Sequence, residues 1–197
     1  MSKNTEHRHF ILHKPYGYLS QLINNQQRRK NKKLLGELYD FPKGVMAIGR
    51  LDQSSEGLLL LTTDGKVSEY IRSQKVEKEY YVQVDGIIDD KAIEKLQKGV
   101  EIGFEGRKYI TKPCKAFHVA SIDHLPMADR KVRDERHGSK SWIAMVITEG
   151  KFRQVRKMTA AVGFPTLRLV RVRVGDISLN IEVGEVIEYP GFTNLRF

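Results

Sequence analysis

A single cysteine, Cys114, stands among 197 residues, so no intrachain disulfide can form. A lone thiol fits a reducing compartment. The opening MSKNTEHRHF has no apolar core, so no secretory leader is expected there. No apolar run approaches the roughly 20 residues that a membrane helix needs. No Pro/Gly/Ser-rich linker divides the chain, and no internal repeat is visible. Acid is in deficit, with 24 Asp and Glu against 34 Lys and Arg, a net charge of +10. That balance favours a polyanionic partner, nucleic acid first and an acidic membrane surface second. Hydrophobic residues make up 40% of the chain, enough to bury a core and to exclude global disorder. The expectation is a cytoplasmic protein of one domain or two small ones.

What is present reads as mixed α+β. RHFILHK is a short strand that ends at the Pro15–Gly17 turn. GLLLLTTDG, from Gly57, is a continuous apolar run bounded by glycines, as in a strand buried on both faces. KEYYVQVDG, SWIAMVIT and TLRLVRVRVG have strand composition. YITKPCKAFHVASI is β-like, with Pro113 marking an edge or a bulge. LLGELYDF, KVSEYIRS and KFRQVRKMTAAVG read as helical, the last ending at Gly163. DDKAIEKLQKG is the clearest helix, with Asp89 as N-cap and Gly99 as its stop. Residues 24–33 and 123–140 are charged stretches with little to bury, expected as loops. Their basic blocks, with Arg168, Arg171 and Arg173 as a third cluster, point toward RNA. By strand alternation Arg171 and Arg173 share one face and Arg168 takes the other.

Several motifs carry little. GVEIGFEG has glycines but no helix after it to hold a phosphate. No Cys/His spacing suggests zinc. Ser54-Ser55 lacks a G-x-S-x-G elbow, so a serine hydrolase is poorly supported.

The segment AIGRLDQSSEGLLLLTTDG places Asp52 and Glu56 at the mouth of an apolar strand. Taken singly, both are ordinary loop acids with Arg50 as a local partner. A glycosidase pair would have to flank a bond at about 5–9.5 Å, which two acids of a single loop rarely do. A third reading comes from resemblance. GRLDQSSEGLLLLT, Gly49 to Thr62, resembles the signature of RNA pseudouridine synthases, in the branch containing RsuA, RluB, RluE and RluF. HKPYGYLSQ resembles that family's K-P-x-G motif. VEKEYYVQV resembles its K-x-Y-x-V motif. ITEGKFRQVRKMTAAVG resembles its E-G-x-x-x-Q-V-[RK]-[RK]-M motif. The four stand in the family's order, and the match covers nearly the whole chain from His13 to Ile177. Two positions depart from the pattern: Arg153 stands where relatives usually carry His, and Thr63 where many carry Asn. Only twelve residues precede His13, so the S4-type RNA-binding domain of most of the branch is not expected.

The resemblance implies the pseudouridine synthase fold, an α+β architecture with a mixed, mostly antiparallel sheet flanked by helices and loops and a central RNA cleft. It implies one catalytic domain over 1–197, with two sub-domains sharing one sheet. It makes Asp52 the catalytic acid, Tyr80 the active-site tyrosine and Arg156 the basic residue. Arg50, Leu51, Lys78, Lys151, Arg153 and Gln154, from the same motifs, become candidate substrate contacts, joined by Arg28, Arg29 and Lys30 of the first basic loop. Isomerising a uridine breaks the N1–C1′ bond, turns the base and rejoins it at C5. That needs no redox step, so no cofactor and no metal are expected. The carboxylate can attack C1′ or C6, or remove the 2′ proton, and an arginine partner such as Arg156 keeps it ionised. Tyr80 offers an aromatic face and a hydroxyl. The implied substrate is 23S ribosomal RNA, naked or in a pre-ribosomal particle, with the chain acting as a monomer. The rival reading is a non-catalytic RNA-binding or ribosome-assembly protein.

Overall fold

The computed structural model describes residues 6–23, 32–73, 76–128, 132 and 138–192. In chain order it forms β1 (His9–Lys14), a 3-10 turn (Leu35–Glu37), β2 (Met46–Ala47), β3 (Glu56–Thr62), α1 (Gly65–Ser73) and β4 (Lys78–Asp85). Then follow α2 (Asp90–Lys98), β5 (Glu101–Phe104), β6 (Arg107–Ile110), β7 (Lys115–His118) and β8 (Lys140–Ile147). The chain closes with α3 (Gln154–Ala161), β9 (Thr166–Val174), β10 (Ile177–Ser178) and β11 (Val186–Tyr189). The fold class is α+β, as the sequence implies. The chain divides into two compact units, Met1–Lys75 with Gly175–Phe197, and Val76–Val174.

In the first unit β1 lies between β11 and β3, antiparallel to both, and β2 adds antiparallel to β3. The apolar run does what its composition demands. Leu58, Leu59, Leu60 and Leu61 are all at most 1% exposed, so both faces of β3 are covered. Each buried leucine contributes roughly 1.5–3 kcal/mol. Glu56, expected in a loop, is instead the first residue of β3 and is buried. Its pairing ladder begins one residue later, with Gly57 opposite Lys14.

In the second unit the strand order is β9-β4-β8-β7, each neighbour antiparallel. The stretch expected as one β-like segment around Pro113 is two strands. Proline has no N–H to donate, and the chain leaves β6 before it and enters β7 after it. β6 pairs with β5 as a separate two-stranded ribbon, while β7 is an edge strand on β8. The GVEIGFEG glycines serve this ribbon. Glu105 and Gly106, at φ 50° and 72°, make its two-residue turn. Gly99, at φ 97°, ends α2 where a Cβ would collide with the Thr111 carbonyl. α2 starts as expected, the Asp89 carboxylate accepting the Ala92 N–H at 2.8 Å. The LLGELYDF helix shrinks to the single 3-10 turn. α3 begins later than its sequence pattern, because Arg153 adopts a left-handed conformation just before it.

A bulge in β9 changes one reading. Tyr80 pairs with Arg171 and Glu79 with Arg173, so one β4 step spans two on β9. The extra residue, Val172, breaks the alternation. Arg171 therefore shares the face of Tyr80, while Arg173 crosses to that of Glu79 and Arg168. The expected pairing of Arg171 with Arg173 on one side is overturned.

Candidate active site

Asp52 opens a tight turn in which the Ser55 N–H donates to the Asp52 carbonyl at 3.0 Å. Gly49, at φ 73°, turns the chain into this loop. The segment Lys14–Ser20, the first of the four motifs, grips the loop at three points. The Ser20 hydroxyl donates to the Leu51 carbonyl at 2.8 Å and accepts the Leu51 N–H at 3.0 Å. The Gly17 N–H donates to the Gln53 carbonyl at 2.8 Å, and the Gln53 side-chain amide returns a bond to the Gly17 carbonyl at 3.0 Å. The Lys14 ammonium, fully buried, donates to the carbonyls of Pro15 and Ser55 at 2.9 and 2.8 Å. Leu51 points into the core at 6% exposure. The residues on either side of Asp52 are thus fixed, and Asp52 itself is half-buried. Arg50 is exposed.

In the second unit Tyr80 sits on β4, 8% exposed, opposite Arg171 of β9 and Met145 of β8. Lys78 lies on the same face by alternation. Burial, and then the nearby Arg171 charge, hold its ammonium down to about 8 from an ordinary 10.5. Its Nζ donates to the Val76 carbonyl at 2.9 Å.

The entry to α3 is a second preorganised turn. The Gln154 N–H donates to the Lys151 carbonyl and its side-chain oxygen accepts the Lys151 N–H, at 3.0 and 2.9 Å. The Gln154 amide nitrogen donates to Glu149. Glu149 also accepts the Tyr109 hydroxyl and the Lys112 N–H. Burial alone would raise the Glu149 carboxyl, but these three donors together leave it below its ordinary value. Lys151 stands over the Phe104 and Tyr109 rings, 5.0 and 5.1 Å from their centroids. Arg156 is half-buried one turn into the helix, and Arg153 is exposed.

The sequence profile of the RNA pseudouridylate synthases matches residues 8–161. The chain belongs to the RNA pseudouridylate synthase family. A ribosomal large subunit pseudouridine synthase E of Xanthomonas axonopodis pv. citri (strain 306) is 41% identical over 191 residues, covering 94% of this chain and 95% of the relative. The protein of the same name from Vibrio parahaemolyticus is 43% identical over 173 residues, covering 86% and 68%. A crystal structure of a pseudouridylate synthase superposes with a TM-score of 0.73 at 26% identity, covering 96% of this chain and 73% of the other. Human RNA pseudouridylate synthase domain containing 1 shares the fold, with a TM-score of 0.56 at 13% identity.

Set against this pseudouridylate synthase fold, the candidate residues fall into three groups. Arg50, Leu51 and Asp52 share the gripped loop, where Leu51 is an anchor for the backbone. Lys78 and Tyr80 share one face of β4. Lys151, Arg153, Gln154 and Arg156 share the α3 entry. Gln154, a candidate substrate contact, is 3% exposed and has both ends of its amide engaged in holding the turn. Arg28, Arg29 and Lys30 lie outside the described residues, as do residues 129–131 and 133–137 of the second charged stretch. The third basic cluster is divided. Arg173 donates to Glu77 and Glu79, and Arg168 is buried with a bond to the Pro126 carbonyl at 2.9 Å. Arg171 joins Tyr80, a neighbourhood that depends on the bulge and has no signal in the sequence. The roles of Lys14, Ser20 and Glu149 were also missed, although all three lie within quoted motifs.

Proposed function

We propose that this chain isomerises a uridine of large-subunit ribosomal RNA to pseudouridine in the cytoplasm, acting as a monomer and a single catalytic unit. The observation that carries the reading is the gripped loop, which holds one half-buried aspartate between two fixed neighbours. Rigid placement of that kind serves a group that must react, not one that merely decorates a surface. Identity above 40% to large-subunit enzymes over most of the chain supports the substrate. Asp52 is the nucleophile or base that starts the reaction. Tyr80 offers its ring to the base and its hydroxyl to the sugar or C5. Arg156 supplies a cation for the charge that develops. The target uridine leaves the RNA stack, because its reacting atoms are out of reach within a helix. The test is pseudouridine mapping of ribosomal RNA from a strain lacking the gene, with pseudouridine separated from uridine before mass spectrometry. One missing pseudouridine in the large-subunit RNA is expected. An unchanged map overturns the enzyme reading in favour of a non-catalytic binder.

Lys78 gives the reading a pH signature. With its ammonium held at about 8, RNA affinity weakens as pH rises from 7 to 9 and the cation is lost. Lys78→Arg flattens that profile. Fold stability moves the other way. An unfolded lysine keeps its proton up to about 10.5, so the unfolded chain binds more protons and stability rises from pH 8 toward 10.5. Binding titrations and denaturant melts at matched pH separate the two. Wild-type affinity with the same pH profile as Lys78→Arg removes Lys78 from the RNA contacts.

A further inference from the structure

Phe152 is 67% exposed, although it lies inside a turn tied by side-chain hydrogen bonds. The turn is locked on one side by Gln154 and Glu149. On the other side Arg153 takes φ 53° and ψ 33°, a left-handed conformation uncommon for a residue with a Cβ. Nothing in local propensity favours this arrangement, and it leaves an aromatic ring facing solvent. Lys157 anchors the far side of the turn. Its Nζ donates to the Gly103 carbonyl of β5 at 2.7 Å and stands 5.4 Å from the centre of the Phe152 ring. From Gly150 to Met158 the chain carries Lys151, Arg153, Arg156 and Lys157 and no carboxylate.

An exposed ring on a hydrogen-bonded turn, with Lys157 beside it and three more cations along the same stretch of chain, has the chemistry of a single-stranded RNA platform. The ring stacks on a base, and the cations take the flanking phosphates. A protein partner would want the ring but would gain nothing from four cations with no carboxylate between them from Gly150 to Met158. Resting on the function proposed above, we infer that Phe152 is a stacking platform for an unpaired base beside the target uridine, flanked by phosphate contacts from Arg153 and Lys151. Stacking is sequence-tolerant, so this residue supplies affinity and register while base choice is made elsewhere.

The experiment uses the full chain with Trp142→Phe, which removes the single native tryptophan, and Phe152→Trp as a reporter. An unstructured single-stranded oligoribonucleotide should quench the reporter. Inorganic polyphosphate, which offers charge without bases, should not. In parallel, Phe152→Ala should weaken binding of the same oligonucleotide by roughly 5- to 100-fold. The slope of log affinity against log salt should stay as in the parent, since no phosphate contact is lost, whereas Arg153→Ala should lower it by about one unit. Quenching by polyphosphate equal to that by RNA overturns the inference. So does a reporter silent to RNA, or Phe152→Ala binding as tightly as the parent. These readouts need no turnover. A protein that makes no pseudouridine yet shows RNA-specific quenching therefore overturns the function and leaves the platform standing.

Discussion

Asp52→Asn abolishes pseudouridine formation while RNA affinity stays close to that of the parent. The expected loss in turnover is on the order of 10⁴-fold or more, the scale on which removal of a reacting group is felt. Asparagine keeps the size and most of the hydrogen bonds, so the gripped loop survives the change. What disappears is the charge and the nucleophilic oxygen. Arg50, Leu51, Gln53, Ser54 and Ser55, the rest of the loop, offer no carboxylate to take over. Phosphate contacts dominate RNA affinity, and an acid makes none, so removing this one can even tighten binding. The measurement is pseudouridine formed per enzyme on RNA transcribed in vitro, alongside a binding titration. Turnover within tenfold of the parent would displace Asp52 from the chemistry. Glu56→Gln is the comparison. Because Glu56 is buried at the start of β3, this variant should lose stability before it loses activity per folded molecule.

Lys14→Met has the second large effect, on the fold and the loop together. The Lys14 ammonium is the donor for two carbonyls, and the side chain has no exposed surface. Methionine fills much the same space and cannot donate. Leaving two buried acceptors without this partner costs about 2–5 kcal/mol. Lys14→Arg is no rescue, since a planar guanidinium is wider than the slot and points its donors elsewhere. Denaturant unfolding measures the stability. Turnover should fall as well, because Ser55, whose carbonyl Lys14 holds, closes the turn that begins at Asp52 with its own N–H. A loss under 1 kcal/mol would mean that the loop can release these bonds without consequence.

Much of the architecture was legible because burial writes itself into composition. The leucine run required β3, and Asp89 with Gly99 bounded α2. The family motifs offered Asp52, Tyr80 and Arg156 as the candidate residues. What was not legible depends on partners distant in sequence. Lys14 reads as a surface charge until its ammonium is seen against the Ser55 carbonyl. Gln154 reads as an exposed polar residue of a basic helix until both ends of its amide are seen engaged. Glu56 reads as a loop acid because nothing local shows that the strand begins there. The ribbon of β5 and β6 was hidden because its glycines invite a phosphate-loop reading and Pro113 blurs the boundary to β7.

The extra residue at Val172 makes the length of β9 part of its meaning. In an evenly alternating strand, the spacing Arg-Val-Arg would put both guanidiniums into one compartment. Here the same three residues serve two. Arg171 stands with Tyr80 and Lys78, and Arg173 is tied down by Glu77 and Glu79. A related sequence lacking this one residue would lose the bulge yet keep its arginines opposite Glu79 and Tyr80, whereas one that keeps all three residues in an even strand would carry a positive charge from the face of Glu79 to that of Tyr80. Relatives are best compared by which arginine faces the tyrosine rather than by how many arginines the strand contains.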